Sequence, residues 1–268
     1  MIDLHSHLLP GIDDGAPDLA TALAMARIAV ADGIQVMACT PHIYPGLYEN
    51  AGPAIREAVA ALQEQLDQAD IVLRLTHGAD THIAPDLIAG LRSGRVPSLH
   101  DSRYFLLEPP HHVAPPRLEE TVFNLMAAGY VPVITHPERL SWIADRYQVF
   151  VELARKGVWM QVTAGSLTGR FGATAKYWGE RLLDEGLVHI LATDAHDVTR
   201  RSPLLAEGRR AAERWVGAAE AEHLVIARPR GILDNRDPQL LTSAMGGAEA
   251  VPPSPVRWSA LAKWFARR

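Results

Sequence analysis

Hydrophobic and polar positions alternate from the start of the chain: Ile2 and Leu4 flank Asp3, and His5 and His7 follow with Ser6 between them. A period of two predicts a strand at the N-terminus with both imidazoles on one face. Four further apolar runs stop at a histidine or a carboxylate. Val36–Cys39 leads through Thr40 and Pro41 to His42, and residues 104–107 lead to Glu108. Val131–Thr135 leads to His136, and residues 190–193 lead to Asp194, with His196 two positions on. Residues 71–75 form a shorter strand entering the polar stretch that holds Asp80 and His82.

Between these runs the apolar spacing lengthens to that of a helix. Residues 19–32 predict a helix with Asp18 as N-cap, Gly33 as its stop, and Leu19, Leu23, Ala26 and Val30 as its apolar stripe. Residues 52–69 predict another, with Ile55, Val59 and Leu62 inward. Helices are also expected over 85–93, 118–129 (Val122, Leu125 and Met126 in the core), 147–156, 175–185 and 203–216. Repeated strand-then-helix units predict an α/β fold, most simply one barrel. In such folds the carboxyl ends of parallel strands converge on one face, where active sites sit.

From residue 244 the pattern changes. Gly246-Gly247 and Pro252-Pro253-Ser254-Pro255 read as a linker. Trp258, Leu261 and Phe265 then share a helical face, with Lys263, Arg267 and Arg268 nearby. The expected organisation is one domain over 1–243 and, over 244–268, a linker with a short amphipathic segment. That segment would dock on the body or a second copy of the chain, or alternatively on a membrane surface or another partner.

Composition narrows the picture. The 268 residues are 48% hydrophobic, enough for a large core. The net charge of −5 comes without a basic cluster, which argues against a nucleic-acid partner. No run of about 18 apolar residues predicts a transmembrane helix, and the N-terminus reads as strand rather than leader. The one cysteine excludes an internal disulfide, so a cytoplasmic setting is expected.

His5, His7, Asp14, His42, Asp80, Glu108, His136, Asp194 and His196 make nine candidate metal ligands. One first-row ion takes four to six, so two or three divalent ions are expected. Imidazole and carboxylate without thiolate suit Mn²⁺, Fe²⁺ or Zn²⁺. Three such ions, four carboxylates and a bridging hydroxide leave about one surplus positive charge, fit for a phosphate ester attacked by metal-activated hydroxide. Arg139 and Arg201 are within loop reach, and their planar forks match phosphate oxygens. His42 or His196 could protonate the leaving oxygen. Tyr44 and Tyr48 could frame a phenyl ring. Cysteine-based phosphatase chemistry requires an arginine six residues after its nucleophile, and Pro45 stands there after Cys39. Neither a Gly-x-Ser-x-Gly elbow nor a P-loop supports a serine or nucleotide hydrolase.

His5-Ser6-His7, Asp13-Asp14-Gly15, Thr40-Pro41-His42, Thr135-His136-Pro137-Glu138-Arg139 and Thr193-Asp194-Ala195-His196 resemble the signature of the polymerase-and-histidinol-phosphatase (PHP) superfamily. Within it the chain looks most like the manganese-dependent protein-tyrosine phosphatases of bacterial capsule and exopolysaccharide operons. The resemblance covers about residues 1–238, including Pro229–Arg236 as written in the sequence. It implies a distorted (β/α)7 barrel, a trinuclear manganese site, and a phosphotyrosine substrate on a membrane-associated bacterial tyrosine kinase. The family commonly carries Glu where this chain has Asp80, and His82 is a possible substitute ligand. Two rival functions follow from the same scaffold: a small-molecule phosphatase of the histidinol-phosphatase type, and a regulator that binds phosphotyrosine without cleaving it.

Overall fold

A computed structural model describes residues 1–241; the expected linker and amphipathic segment over 244–268 lie outside the described residues. Ten strands are found among the described residues: β1 (Ile2–Ser6), β2 (Val36–Cys39), β3 (His42–Tyr44), β4 (Tyr48–Glu49), β5 (Arg74–His77), β6 (Asp80–His82), β7 (Tyr104–Glu108), β8 (Val131–Thr135), β9 (Trp159–Thr163) and β10 (Ile190–Ala192).

β1, β2 and β5 form one parallel sheet, and a second sheet runs β10-β9-β8-β7-β6-β3-β4, parallel except for the β3–β4 hairpin. Two chain segments pass through both sheets. β2 resumes as β3 after Thr40-Pro41, where proline has no N–H for the ladder. β5 resumes as β6 after Gly78-Ala79, where a Cβ on Gly78 would meet Leu99 Cδ2 at 2.8 Å. With each broken pair taken as one, seven parallel staves follow one another around a ring. Ser6 bridges Ala195, His7 N–H donates to Ala195 O (2.8 Å), and Asp194 N–H donates to His5 O (2.9 Å), joining the last stave to the first. This is the α/β architecture that the strand-then-helix pattern predicts, with the seven distorted staves that the resemblance implies.

Alternation along the strands sorts the core. Tyr104, Leu106, Val131, Val133, Trp159 and Ile190 pack with Ile2, Leu4, Leu99 and Ile232 in a small cluster made almost wholly of strand residues, the ring interior. Phe105, Leu107, Ile134, Met160 and Val162 face the other way, into a larger cluster with the helices.

Several expected boundaries shift. In the helix Leu19–Ala31, Asp18 does cap Thr21 N–H at 2.8 Å, but the buried face is Ala22, Met25, Ala26 and Ala29, and Leu19 is 38% exposed. Leu23 and Val30 flank this face, partly buried against the core. Gly52–Gln68 buries Ile55, Val59 and Leu62 as expected, with Leu66 added. Leu118–Ala127 buries Val122 and Leu125, with Met126 only partly covered. The strand read over 71–75 instead spans Arg74–His77, and the helix read from 147 begins at Ile143, where Leu140, Trp142 and Ile143 join the core. Helical structure over residues 218–233, unanticipated by periodicity, brings Ile232 into the small cluster.

Candidate metal centre

Each stave ends on the same face, and the structure brings all nine expected ligands together there. His5 and His7 leave β1, and Asp14 sits in the loop beyond. His42 and Asp80 open β3 and β6, and Glu108 closes β7. His136 follows β8, and Asp194 and His196 follow β10. β1 slips its register against β2 between Asp3 and Ser6, a bulge of the kind that re-aims side chains beside active sites. His136 and Asp194 adopt φ of +35° and +51°, left-handed conformations uncommon for these residues, just past the ends of β8 and β10.

Among the described residues the donor atoms fall into five overlapping groups of three or four. His5 Nε2 lies 3.3 Å from His7 Nε2, 3.4 Å from Asp80 Oδ2 and 3.3 Å from Asp194 Oδ1. Glu108 Oε2 is 3.3 Å from His42 Nδ1, and Glu108 Oε1 is 3.5 Å from His136 Nε2, with Asp80 Oδ2 on their other side. Asp14 Oδ1 is 3.4 Å from both His42 Nε2 and His196 Nε2. Asp80 and His42 each belong to two neighbourhoods.

These separations suit cations. Ligand bonds of ~2.0–2.2 Å put neighbouring donors on one ion ~3.0–3.4 Å apart. Asp80 Oδ2, Glu108 Oε2, His42 Nδ1 and His196 Nε2 are buried without a hydrogen-bond partner. Buried acceptors facing one another are costly unless positive charge lies among them. The donors are oxygen and imidazole nitrogen, a set suited to Mn²⁺, Fe²⁺ or Zn²⁺.

Protonation shows the same demand. Burial opposes ionisation of Asp194, yet Arg201, His5 and Arg139 hold it well below the carboxylate range. Burial also disfavours charge on His5, but Asp194 and Asp80 outweigh it and raise the imidazole to about 9. A proton there occupies the place a metal ion would take, so metal and protons compete.

Residues that orient the ligands were not all legible as such. His7 Nδ1 donates to Asp13 Oδ2 at 2.7 Å, and the same carboxylate oxygen accepts His42 N–H at 3.1 Å. Gln161 Oε1 accepts from His5 Nδ1 at 2.9 Å, and His196 Nδ1 donates to Asp194 O at 2.9 Å. Fixing one ring nitrogen aims the other. The paired carboxylates of Asp13-Asp14 pointed to the first; Gln161, mid-strand in β9, gave no signal. His82 Nδ1 lies 3.1 Å from Glu108 Oε2 but joins none of the multi-donor groups; its ring stands 3.8 Å from that of Tyr44. His111, also unexpected, brings Nε2 to 3.3 Å from Glu108 Oε1.

Arg139 and Arg201 both donate to Asp194 Oδ2, Arg201 at 2.6 Å, while Oδ1 faces the imidazoles. The Arg139 guanidinium lies 4.4 Å from the centre of the Phe171 ring. Two guanidinium groups sharing one carboxylate oxygen leave positive charge beside the cluster. A cleft of about 420 Å³ opens next to it, with Asp14, His42 and Glu108 among its lining residues and Tyr44, Tyr48, Leu47 and Val113 along its walls. Tyr48 stacks on His42 at 5.5 Å and 16°.

A family model described as capsular polysaccharide synthesis, CpsB/CapC, matches residues 1–234. The tyrosine-protein phosphatase YwqE of Bacillus subtilis is 40% identical over 202 residues, 75% of this chain and 80% of that protein. The tyrosine-protein phosphatase CpsB of Streptococcus pneumoniae is 27% identical over 238 residues, 87% and 98% of the two chains. A solved structure described as YwqE from Bacillus subtilis and CpsB from Streptococcus pneumoniae, unique metal-dependent tyrosine phosphatases, aligns at a TM-score of 0.84 and 36% identity. That match covers 88% of this chain and 96% of the other.

Proposed function

This chain belongs to the CpsB/CapC family of capsular polysaccharide synthesis, and we propose that it is a metal-dependent protein-tyrosine phosphatase whose nine converging side chains hold two or three divalent ions, Mn²⁺ by preference. The observation that carries the reading is the set of buried, unpartnered donor atoms brought together from separate strand ends. Relatives named as tyrosine-protein phosphatases, 40% identical in one case, support the reaction class.

Bound divalent ions would supply a water of lowered pKa and clamp the phosphoryl oxygens. The chain's own residues do the rest. Arg139 and Arg201, already turned toward the cluster through Asp194 Oδ2, have forks that can take phosphate oxygens in this surplus positive field. Tyr44 and Tyr48 wall the cleft where the phenyl ring would lie. His42 has both nitrogens facing carboxylates of the cluster, and His196 donates through Nδ1 to Asp194 O while its Nε2 faces Asp14. Neither would have a proton to give once metal is bound, and the departing phenolate is acidic enough to leave without one. Attack falls directly on phosphorus, without a phospho-enzyme.

In this reading residues 1–243 carry the activity and 244–268 are an accessory tail, so deleting the tail leaves turnover of a small substrate unchanged. The substrate is a phosphotyrosine protein acting in capsule synthesis, best fitted by a membrane-associated tyrosine kinase reached from the cytoplasm. Among the described residues no helix is long and apolar enough to cross a membrane. The test is kcat/KM for a phosphotyrosine peptide against histidinol phosphate with Mn²⁺ present. Preference for the peptide is expected; preference for histidinol phosphate would replace this reading with a small-molecule phosphatase. Metal binding with no turnover of either would leave a binding protein.

A further inference from the structure

His111 stands outside the nine expected ligands, yet its Nε2 lies 3.3 Å from Glu108 Oε1, and His136 Nε2 lies 3.5 Å from the same oxygen. One donor atom from each of Glu108, His111 and His136 falls within 4.8 Å of the others. A separation of 3.3 Å is past the ~2.7–3.2 Å of an ordinary N–H···O bond. It matches instead the ~3.0–3.4 Å between neighbouring donors on one ion with ~2.0–2.2 Å bonds.

The imidazole is held there by its backbone. Pro109 and Pro110 restrict the chain leaving β7. Trp142 Nε1 donates to Pro110 O at 2.9 Å, and Ser141 donates to His111 O through both its N–H and its hydroxyl, each at 3.0 Å. The ring lies against that of His136, with centroids 4.8 Å apart.

Asp80 reaches this neighbourhood less well. Its Oδ2 is 3.4 Å from His5 Nε2 but 3.9 Å from His136 Nε2. A short carboxylate drawn toward the first group leaves the second short of a donor. We infer that His111 supplies it, as a tenth ligand that binds a divalent cation through neutral Nε2 together with Glu108 and His136. The inference shares with the phosphatase reading only the assumption that the centre holds metal.

The test uses the full chain, stripped with a chelator, reloaded with Mn²⁺ and compared with His111→Ala and His111→Asp. Bound manganese per chain is read by elemental analysis and affinity by calorimetry. His111→Ala should lose about one ion per chain, or bind one ion at least ~10-fold more weakly, with the remaining ions unchanged. His111→Asp, which keeps a donor, should recover part of that loss. Unchanged manganese content and affinity in His111→Ala overturns the inference; if turnover falls all the same, the imidazole acts on substrate instead. A wild-type chain that binds no manganese overturns it as well. A wild-type chain that binds manganese but cleaves no phosphotyrosine refutes the phosphatase reading and leaves the His111 comparison intact.

Discussion

Arg139 does two things at once: it donates to Asp194 and reaches over Phe171 toward the cluster. Arg139→Ala should cost about 2–4 kcal/mol in transition-state stabilisation, read as a fall in kcat/KM, if the fork acts on developing phosphoryl charge. Cys39 is the opposite case. It is fully buried in β2, and burial, with Asp13 and Asp3 nearby, pushes its thiol up out of the reactive range. Cys39→Ala should keep its turnover, and iodoacetamide should leave the folded enzyme active; inhibition by alkylation would reinstate thiol chemistry. His189 tests the fold rather than the site. Its Nδ1 accepts Met160 N–H at 3.1 Å, and burial and the Arg228 charge push it down to about 3. The unfolded chain takes up this proton near 6.5 and the folded one does not, so stability falls as pH drops from about 6.5 toward 3, by up to about 1.4 kcal/mol per unit. Urea midpoints of chelator-treated protein should show a flatter dependence for His189→Gln over pH 4–7. At this scale most of the nine convergent side chains were legible because they lie in or just past an apolar strand that has no other use for them; Asp14 was marked by its pairing with Asp13 and Asp80 by the polar stretch it sits in. His111 and Gln161 were not, since one lies in a proline-rich loop and the other inside a strand, where nothing in their neighbours marks a ligand.

The turn after β1 shows how an element sets the chemistry. Gly11 N–H donates to Ala16 O at 2.8 Å and Ala16 N–H to His7 O at 3.1 Å, closing a loop that presents Asp13 inward and Asp14 to the imidazoles. A Cβ on Gly15 would sit 2.1 Å from His7 O, so Gly15→Ala must open this loop. It should cost about 10–100-fold in kcat/KM, in line with losing a ligand's support, with secondary structure by circular dichroism unchanged. Retained activity would show that Asp14 is dispensable. Strand ends were readable from hydrophobic runs, but the break of two staves at Thr40-Pro41 and Gly78-Ala79 was not. At the second, Gly78 lies against Leu99, remote in sequence, where a Cβ would not fit. The first helix was read only in part: Ala26 is buried and Leu23 and Val30 pack partly against the core, but Leu19 is exposed and the buried centre is Ala22, Met25 and Ala29. The helical run over 218–233 carries Pro229 and no regular apolar stripe; Leu224 and Val225 pack into the larger cluster and Ile232 into the ring interior, a tertiary fact.

Across the whole molecule, donors from seven segments spread over nearly 200 residues meet at one face of the ring. Ions bound there tie the staves to one another, so ligand binding to the folded state alone should raise Tm with metal concentration. The architecture was readable because strand-helix alternation and strand-end chemistry agree, which is the consistency expected of a foldable sequence. The charge balance at the centre links fold to the proposed function: five imidazoles and four carboxylates would take cations, and two arginines beside them an anion. The most direct measurement is kcat/KM on a phosphotyrosine peptide before chelation, after chelation, and after Mn²⁺ is restored. Turnover should fall to background on stripping and return with the metal; a rate indifferent to chelation, or one that stays at zero while manganese rebinds, would contradict a metal-dependent phosphatase.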